Sequence, residues 1–600
     1  MRVHQAGGSL TRTRGAQVED WSWAQTRRRL TALYRLARPY KARTALAVLS
    51  LLCATAVALA PPYLVGRTVD EVKRGDTSEL GLFVVAFIAA GALGIVFSYA
   101  QTYFTGWTGE RMLADLRSLL FRHLQRLSLG FYERNRAGVI ISRLTNDVEA
   151  LDQLVTDGVT SLVQNTLTLV GTAVILFLLD WRLALATLTV MPAMAVATAL
   201  FRKRSGRAYR RVRETLGAVT ATLAEDIAGM RVLQSFTREP AARANFRAVS
   251  DKYRSSNMST VVLSGVYFPV VDFLSASATA VVLGYGGWLS FHGHISVGVV
   301  VAFLGYITNF FDPVQQLSQL YNTFLAAVAA LDKITDLLEE EPEVVDADDP
   351  VDLEHAAGAV AFQDVRFAYG RGPEVLHGLD LEVPAGTTVA LVGHTGAGKS
   401  TIAKLLARFY DPTEGRITID GVDLRRVSQE SLRRQLGIVP QEGFLFAGTV
   451  AENIAFGRPE AERDEIVAAA RAVGADEFVA RLEHGYDTQL GERGSRLSLG
   501  QRQLVAFARA LLADPRILIL DEATSSVDIG TERKIERALR RLLHGRTAFI
   551  IAHRLSTIRD ADLIVVLEHG RVVEKGSHDE LMAERGLYTS LYGDWASSAA

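Results

Sequence analysis

Residues 393–401 read GHTGAGKST, a glycine-bearing loop of the form G-x-x-x-x-G-K-S. Such a loop turns successive backbone N–H groups inward and presents them, with the following helix N-terminus, as a nest for phosphate oxygens. Gly393, His394, Thr395, Gly396, Ala397 and Gly398 supply the wrap, with Thr401 just behind it. Lys399 is expected to reach the β- and γ-phosphates and Ser400 to ligate Mg²⁺. A second stretch, RILILDEATSSVD, runs four apolar residues, Ile517–Leu520, into Asp521 and Glu522. An aspartate at a strand end can hold the metal shell, and the next carboxylate can polarise a water toward the terminal phosphate. A third, TAFIIAHRLS, delivers His553 from a buried strand, placed to touch the same phosphate. Together these residues suit hydrolysis of a nucleoside triphosphate: Glu522, His553 and Lys399 as the catalytic set, with Ser400 and Asp521 on the metal.

Those residues need a frame. The loop is preceded by the apolar run VALV and followed by IAKLLARF, a strand and a helix, which is the frame of an α/β phosphate-binding domain. Composition places that domain in the C-terminal part. The chain has 600 residues, too many for one ordinary domain. It carries 49% hydrophobic residues, unevenly spread, and a formal charge of −1, which argues against a nucleic-acid partner. Six runs in the N-terminal part are long and apolar enough to cross a bilayer: 44–65, 81–104, 158–179, 183–201, 262–289 and 295–318. The third and fourth are separated only by Asp-Trp-Arg, which predicts a tight hairpin. A single cysteine, Cys53, excludes an intrachain disulfide, and no cleavable signal peptide is apparent in the Arg-rich first forty residues.

With the N-terminus inside, the inner segments hold 29 Lys/Arg and the outer segments 4, so the positive-inside rule places both termini in the cytoplasm of a cell whose inner membrane the chain spans several times. Ahead of the first span, Leu30, Leu33, Tyr34 and Ala37 form one stripe, which predicts an amphipathic helix on the inner leaflet. The inner segments 106–150 and 202–260 are polar and helix-favouring, which predicts helical extensions reaching well below the membrane. Residues 338–356 form an acidic linker with two prolines. The expected organisation is an N-terminal arm (1–42), a membrane domain (43–330), a linker (331–357) and a nucleotide-binding domain (358–595). The fold class is therefore an α-helical membrane domain of six spans with long cytoplasmic extensions, followed by an α/β P-loop domain with a helical subdomain.

The motifs, in this order, resemble the ATP-binding cassette (ABC) superfamily from Phe362 to near Tyr592, and six spans fused ahead of one cassette resemble an exporter-type half-transporter. The resemblance implies ATP and Mg²⁺ as ligands. It makes Tyr369 the residue that stacks on adenine, and Gln441 a glutamine that senses Mg²⁺ and the membrane domain. LSLGQ, Leu497–Gln501, becomes the signature motif, whose Ser498, Gly500 and Gln501 would face the nucleotide of a second cassette. Asp528 would end the D-loop, and LGERG, Leu490–Gly494, would touch the intracellular loops. The coupling loops would have their tips near Leu127–Arg136 and Thr215–Asp226.

The signature departs from the family's Leu-Ser-Gly-Gly-Gln at Leu499. A branched side chain there adds bulk where close backbone approach is demanded, although its N–H remains. One chain carries one cassette, so a second half-transporter is implied, and Leu499 favours a different partner over a second copy. The apolar spans suit a lipophilic or amphipathic substrate. Asp272, Gln164, Asn165, Asn309, Asp312 and Gln316 are the polar groups within or near spans that could line its path. An ATP-gated channel or a membrane-anchored regulatory ATPase would carry the same cassette motifs.

Overall fold

The computed structural model describes residues 38–75, 79–441, 443–521, 529–552 and 554–599. The stripe Leu30–Ala37 lies outside these residues. The chain divides into two compact units, one formed by Met1–Gln125 with Ala137–Glu340, the other by Arg126–Arg136 with Glu341–Ala600.

All six expected apolar runs are helices in the first unit. The first run is two helices, α1 (Lys41–Ala58) and α2 (Ala60–Arg74), broken at Leu59. Pro61 and Pro62 lack the N–H groups that an unbroken helix would need there, and the Tyr306 hydroxyl donates to the Leu59 carbonyl at 2.6 Å. The second run is α3 (Leu80–Arg126), 47 residues long. At 1.5 Å per residue it measures about 70 Å, more than twice the hydrocarbon thickness, so a polar extension continues beyond the span. The expected hairpin is there: α4 (Val159–Leu179) ends at Asp180, whose side chain accepts the Leu183 N–H and caps α5 (Trp181–Leu188). Next come α6 (Met191–Ala228) and α7 (Glu239–Val281), an antiparallel pair, and then α8 (Val297–Leu338). The turn between α6 and α7 lies at Gly229–Arg238, beyond the expected tip at Thr215–Asp226. The helix runs through Gly206 and Gly217, each a single glycine among helix-favouring Ala, Leu, Arg and Glu, and stops only at Gly229.

Helices α2 and α8 approach each other closely at a pair of glycines. A Cβ added at Gly66 would sit 2.4 Å from the Gly298 carbonyl oxygen, and one added at Gly298 would sit 2.0 Å from the Gly66 oxygen. Asp70, which is buried, closes the contact by accepting the Ser296 hydroxyl at 2.5 Å and the Gly298 N–H at 2.7 Å. Its carboxylate thereby satisfies donors that have no partner within the helix at the start of α8.

The second unit contains two sheets. The antiparallel one has the order β2-β1-β4-β5, with β1 (Val360–Ala368), β2 (Glu374–Val383), β4 (Glu414–Ile419) and β5 (Val422–Asp423). The other has the order β10-β9-β3-β8-β7-β6, with β3 (Thr388–Val392), β6 (Leu436–Val439), β7 (Ile517–Asp521), β8 (Thr547–Ile551), β9 (Leu563–Glu568) and β10 (Arg571–Gly576). All but β10 run parallel. Both faces of this sheet are buried, so its strands are continuous apolar runs rather than alternating ones. Val389, Leu391, Ile517, Ile519, Phe549 and Ile551 enter the core shared with the antiparallel sheet. Their neighbours Ala390, Val392, Leu518, Leu520, Ala548 and Ile550 enter a second core with the helical layer. Each fully buried Val, Leu or Ile contributes about 1.5–3 kcal/mol, which fixes the level at which these strands end.

Gly298→Ala is expected to destabilise the membrane unit by about 1–3 kcal/mol through overpacking, read as a lower melting temperature in detergent. Gly217→Ala, where an added Cβ meets nothing, should be neutral or stabilising by up to about 1 kcal/mol.

Candidate nucleotide site

The parallel register of β3, β8 and β7 brings three functional strand ends to one edge. Leu391 pairs with Ile551, and Ile551 pairs with Asp521. The phosphate loop leaves β3 directly after Val392, and Asp521 closes β7. Glu522, Asp528 and His553 lie outside the described residues; the strands that lead to Glu522 and His553 are adjacent.

The loop itself has a backbone that side chains resist. Gly393 and Gly398 have φ of 146° and 105°. A Cβ at Gly393 would lie 2.2 Å from the Leu567 carbonyl oxygen. Glycine is therefore required twice, once for conformation and once for space. Helix α9 (Lys399–Leu406) starts at Gly398. The Lys399 ammonium is buried and donates to the loop's own carbonyls, Gly393 O at 2.7 Å and His394 O at 3.0 Å. Burial lowers its pKa from the ordinary lysine value, and the nearby Asp521 opposes that shift. A buried cation held inside a loop of N–H groups fits an anionic phosphate chain. Ser400 is exposed at the first turn of α9, and Asp521 is half-buried at the end of β7, two strands from β3 in the sheet, so a hydroxyl and a carboxylate suited to Mg²⁺ stand at the same edge as the loop.

Tyr369 follows β1 and is clamped. Its hydroxyl lies 3.1 Å from Thr401 Oγ1. Phe367 and Tyr410 meet its ring edge-on at centroid distances of 4.8 and 5.2 Å, and the Lys404 ammonium is 5.4 Å from its centroid.

Gln441 is exposed just past β6. The segment after it is pinned to the helical layer by Arg509, whose guanidinium donates to the Phe444 carbonyl at 3.1 Å and the Asn453 carbonyl at 2.8 Å. Burial lowers the Arg509 pKa from its ordinary value. Arg509 belongs to α10 (Leu499–Ala513), the helix that opens with the expected signature. At its start Ser498 and Gln501 form a capping box: Ser498 Oγ accepts the Gln501 N–H at 3.3 Å, and Gln501 Oε1 accepts the Ser498 N–H at 2.9 Å. Leu499 is the first helical residue and half-buried, and Gly500 is buried. Among the described residues, none of Ser498, Gly500 and Gln501 makes a hydrogen bond or ion pair with the phosphate loop of its own cassette.

Four residues that motif reading missed stand close behind the loop. Arg408 has a guanidinium 2% exposed and donates to Val427 O (2.5 Å), Val345 O (3.0 Å) and Arg425 O (3.2 Å). It ties residues 345–346 of the linker to the helix that carries Lys399. Glu133 accepts from Lys404 and Tyr410. The signal was in plain sight: Lys404, Arg408 and Tyr410 fall in KLLARFY, immediately after the phosphate-loop motif.

Of the polar span residues, Asn165 is buried and Asn309 half-buried. Gln164 accepts from Gln101 Nε2 at 3.4 Å. Asp272, Asp312 and Gln316 are exposed on their helices. The membrane unit also has an open cleft of about 630 Å³, lined by apolar Leu59, Ile175, Leu179 and Val299 and by charged Arg67, Asp70 and Arg74.

Comparison with known proteins gives two family matches: "ABC transporter transmembrane region" over residues 44–314 and "ABC transporter" over residues 376–525. The chain is similar to the uncharacterized ABC transporter ATP-binding protein YknV of Bacillus subtilis, with 43% identity over 96% of this chain and 95% of the relative. It is 38% identical to the ATP-dependent lipid A-core flippase of Syntrophus aciditrophicus over 93% of each chain. Among solved structures, a bacterial Atm1-family ABC exporter with ATP bound superposes with a TM-score of 0.76 at 34% identity, over 93% of this chain and 98% of the other.

Replacing Lys399 by Met should do two things. Nucleotide affinity should fall by at least about tenfold. Without nucleotide the protein should still lose about 1–3 kcal/mol, because buried loop carbonyls lose their donor. Nucleotide titration and thermal melts of the same variant check both.

Proposed function

Since the chain belongs to the ABC transporter family, we propose that it exports, or moves between leaflets, an amphipathic or lipophilic substrate across the cytoplasmic membrane, as one half of a dimeric ATP-driven pump. The observation that carries the reading is the joining of a clamped phosphate-loop site to a six-helix membrane unit in one polypeptide. ATP-driven export follows from that family; the proposal adds the substrate class, the orientation and the partner.

The substrate class rests on the open cleft, in which apolar side chains stand beside two arginines and a carboxylate, and on the flippase among the relatives. Asp272, Asp312 and Gln316, exposed on apolar helices, are proposed to face the substrate path. The orientation, with both termini and the cassette cytoplasmic, rests on the 29-to-4 bias of Lys/Arg between alternate loops.

In the proposed cycle Lys399 and the Gly393–Ser400 backbone hold the phosphates, Tyr369 stacks on the base, and Ser400, Asp521 and Gln441 hold the metal. Mg²⁺, when bound, neutralises charge on the phosphate oxygens. Glu522 orients and deprotonates the attacking water, and His553 donates to the terminal phosphate. The signature of a partner cassette closes the site. This chain offers its own signature, altered at Leu499, to the partner's nucleotide, and that asymmetry favours a different half-transporter as partner. ATP closes the two cassettes, the loops around Leu127–Arg136 and Gly229–Arg238 carry the movement to the spans, and hydrolysis resets them.

The test is MgATP-dependent movement of a fluorescent anionic lipid in vesicles containing the chain and its partner. Transport that stops with Glu522→Gln, which should still bind ATP, supports the reading. ATP-gated single-channel current without lipid movement would replace the pump with a channel.

A further inference from the structure

Glu133 lies in the short segment between α3 and the helix that begins at Ala137, yet it packs with the cassette rather than with the spans. Its two carboxylate oxygens are divided between two partners. Oε1 is 2.8 Å from the Lys404 ammonium, and Oε2 accepts the Tyr410 hydroxyl at 2.8 Å. Those two partners are among the groups that hold Tyr369: Lys404 stands over its ring and Tyr410 against its edge. The lysine pair alone would be weak, because both side chains are about one-third exposed and water screens them. Tyr410 changes that balance. It is 7% exposed, and its hydroxyl has no other hydrogen-bond partner among the described residues. A buried phenol that loses its only acceptor is costly, so Glu133 holds the position of Tyr410. Burial, and next the bond to Glu133, raise the Tyr410 pKa above the ordinary tyrosine value, so it stays a donor throughout the physiological range.

We propose that Glu133 is a positioning residue for the nucleotide base: by fixing Lys404 and Tyr410 it sets the orientation of Tyr369, and so makes base affinity depend on the docking of the Leu127–Arg136 loop. By linkage, a bound base strengthens that docking by the same factor. The loop then does more than receive movement from the cassette; it adjusts how firmly the cassette holds the adenine end of ATP, while the phosphate end stays under Lys399 and the loop glycines. The inference rests on the assignment of Tyr369 as the base-stacking residue.

The loop has independent anchors. Ser128 Oγ accepts the Val344 N–H at 3.0 Å, and Arg134 pairs with Glu343 at 2.6 Å. Removing Glu133 therefore leaves the segment attached.

The experiment compares two ligands on the full-length chain in lipid nanodiscs: ATP, which has a base, and tripolyphosphate, which has none. Glu133→Ala should weaken ATP by about tenfold, the loss of a charge-assisted hydrogen bond, and leave tripolyphosphate within about twofold. Glu133→Gln keeps an acceptor and the shape without the charge, and should recover most of the loss. In combination with Tyr369→Ala, the Glu133→Ala loss should largely vanish, because both act through one ring. Equal weakening of ATP and tripolyphosphate, or no weakening of either, would overturn the proposal. So would an ATP-selective loss from Arg134→Ala that persists undiminished in the Glu133→Ala background, since docking would then reach the base by a route other than Glu133. If Tyr369→Ala itself leaves ATP affinity unchanged while Glu133→Ala lowers it, the base-stacking assignment fails and the proposal falls with it.

Discussion

A loop that demands glycine at Gly393 and Gly398, closed around a buried ammonium, is the constraint from which the cassette is organised. Lys399 cannot be buried without partners, and the loop supplies them from its own carbonyls at Gly393 and His394. Helix α9 inherits that fixed start. Its later turns and the residues just after it carry Lys404, Arg408 and Tyr410, which reach the base clamp, the linker and the 126–136 segment respectively. Arg408 is the least exposed charged group among the described residues, and backbone carbonyls take most of its donors. Truncating it would strand several buried acceptors at once. Phosphate binding and the two chain connections that enter the cassette thus meet on one short stretch, Lys399 to Asp411.

Leu499 illustrates a local gain set against a site at another surface. As first residue of α10 it favours the helix over glycine by up to about 1 kcal/mol, and the Ser498–Gln501 capping box is complete around it. Within its own cassette the leucine is half-buried at a position where a side chain is accommodated. In the proposed dimer any cost falls on a nucleotide held by another cassette, so the substitution bears on partnership and not on this chain's own fold.

The parts of the molecule governed by short-range rules were readable from sequence. Six apolar runs predicted six helices, and Asp180 capped the hairpin that Asp-Trp-Arg foretold. The phosphate loop was legible because its glycines are demanded by backbone geometry that no other residue tolerates. What sequence could not supply was long-range pairing. Glu133 is 277 residues from Tyr410, and Asp70 is 228 from Gly298, with no local pattern marking either pair. The turn between α6 and α7 lies past Thr215–Asp226 because a single glycine does not by itself end a long helix: α6 runs through Gly217 and stops only at Gly229. The roles of Glu522 and His553 rest on motif and strand order, since both residues lie beyond the described ones.

The claim most exposed to refutation is that this chain carries a sound phosphate-loop half-site and an impaired signature half-site. MgATP turnover of the chain alone in nanodiscs, with its mass determined, measures this directly when wild type is compared with Leu499→Gly. The account predicts a slow wild-type dimer whose turnover rises several-fold on the substitution, with half-saturation by ATP little changed. Equal, brisk turnover in both proteins would contradict it and make the chain a self-sufficient homodimer in which Leu499 is tolerated.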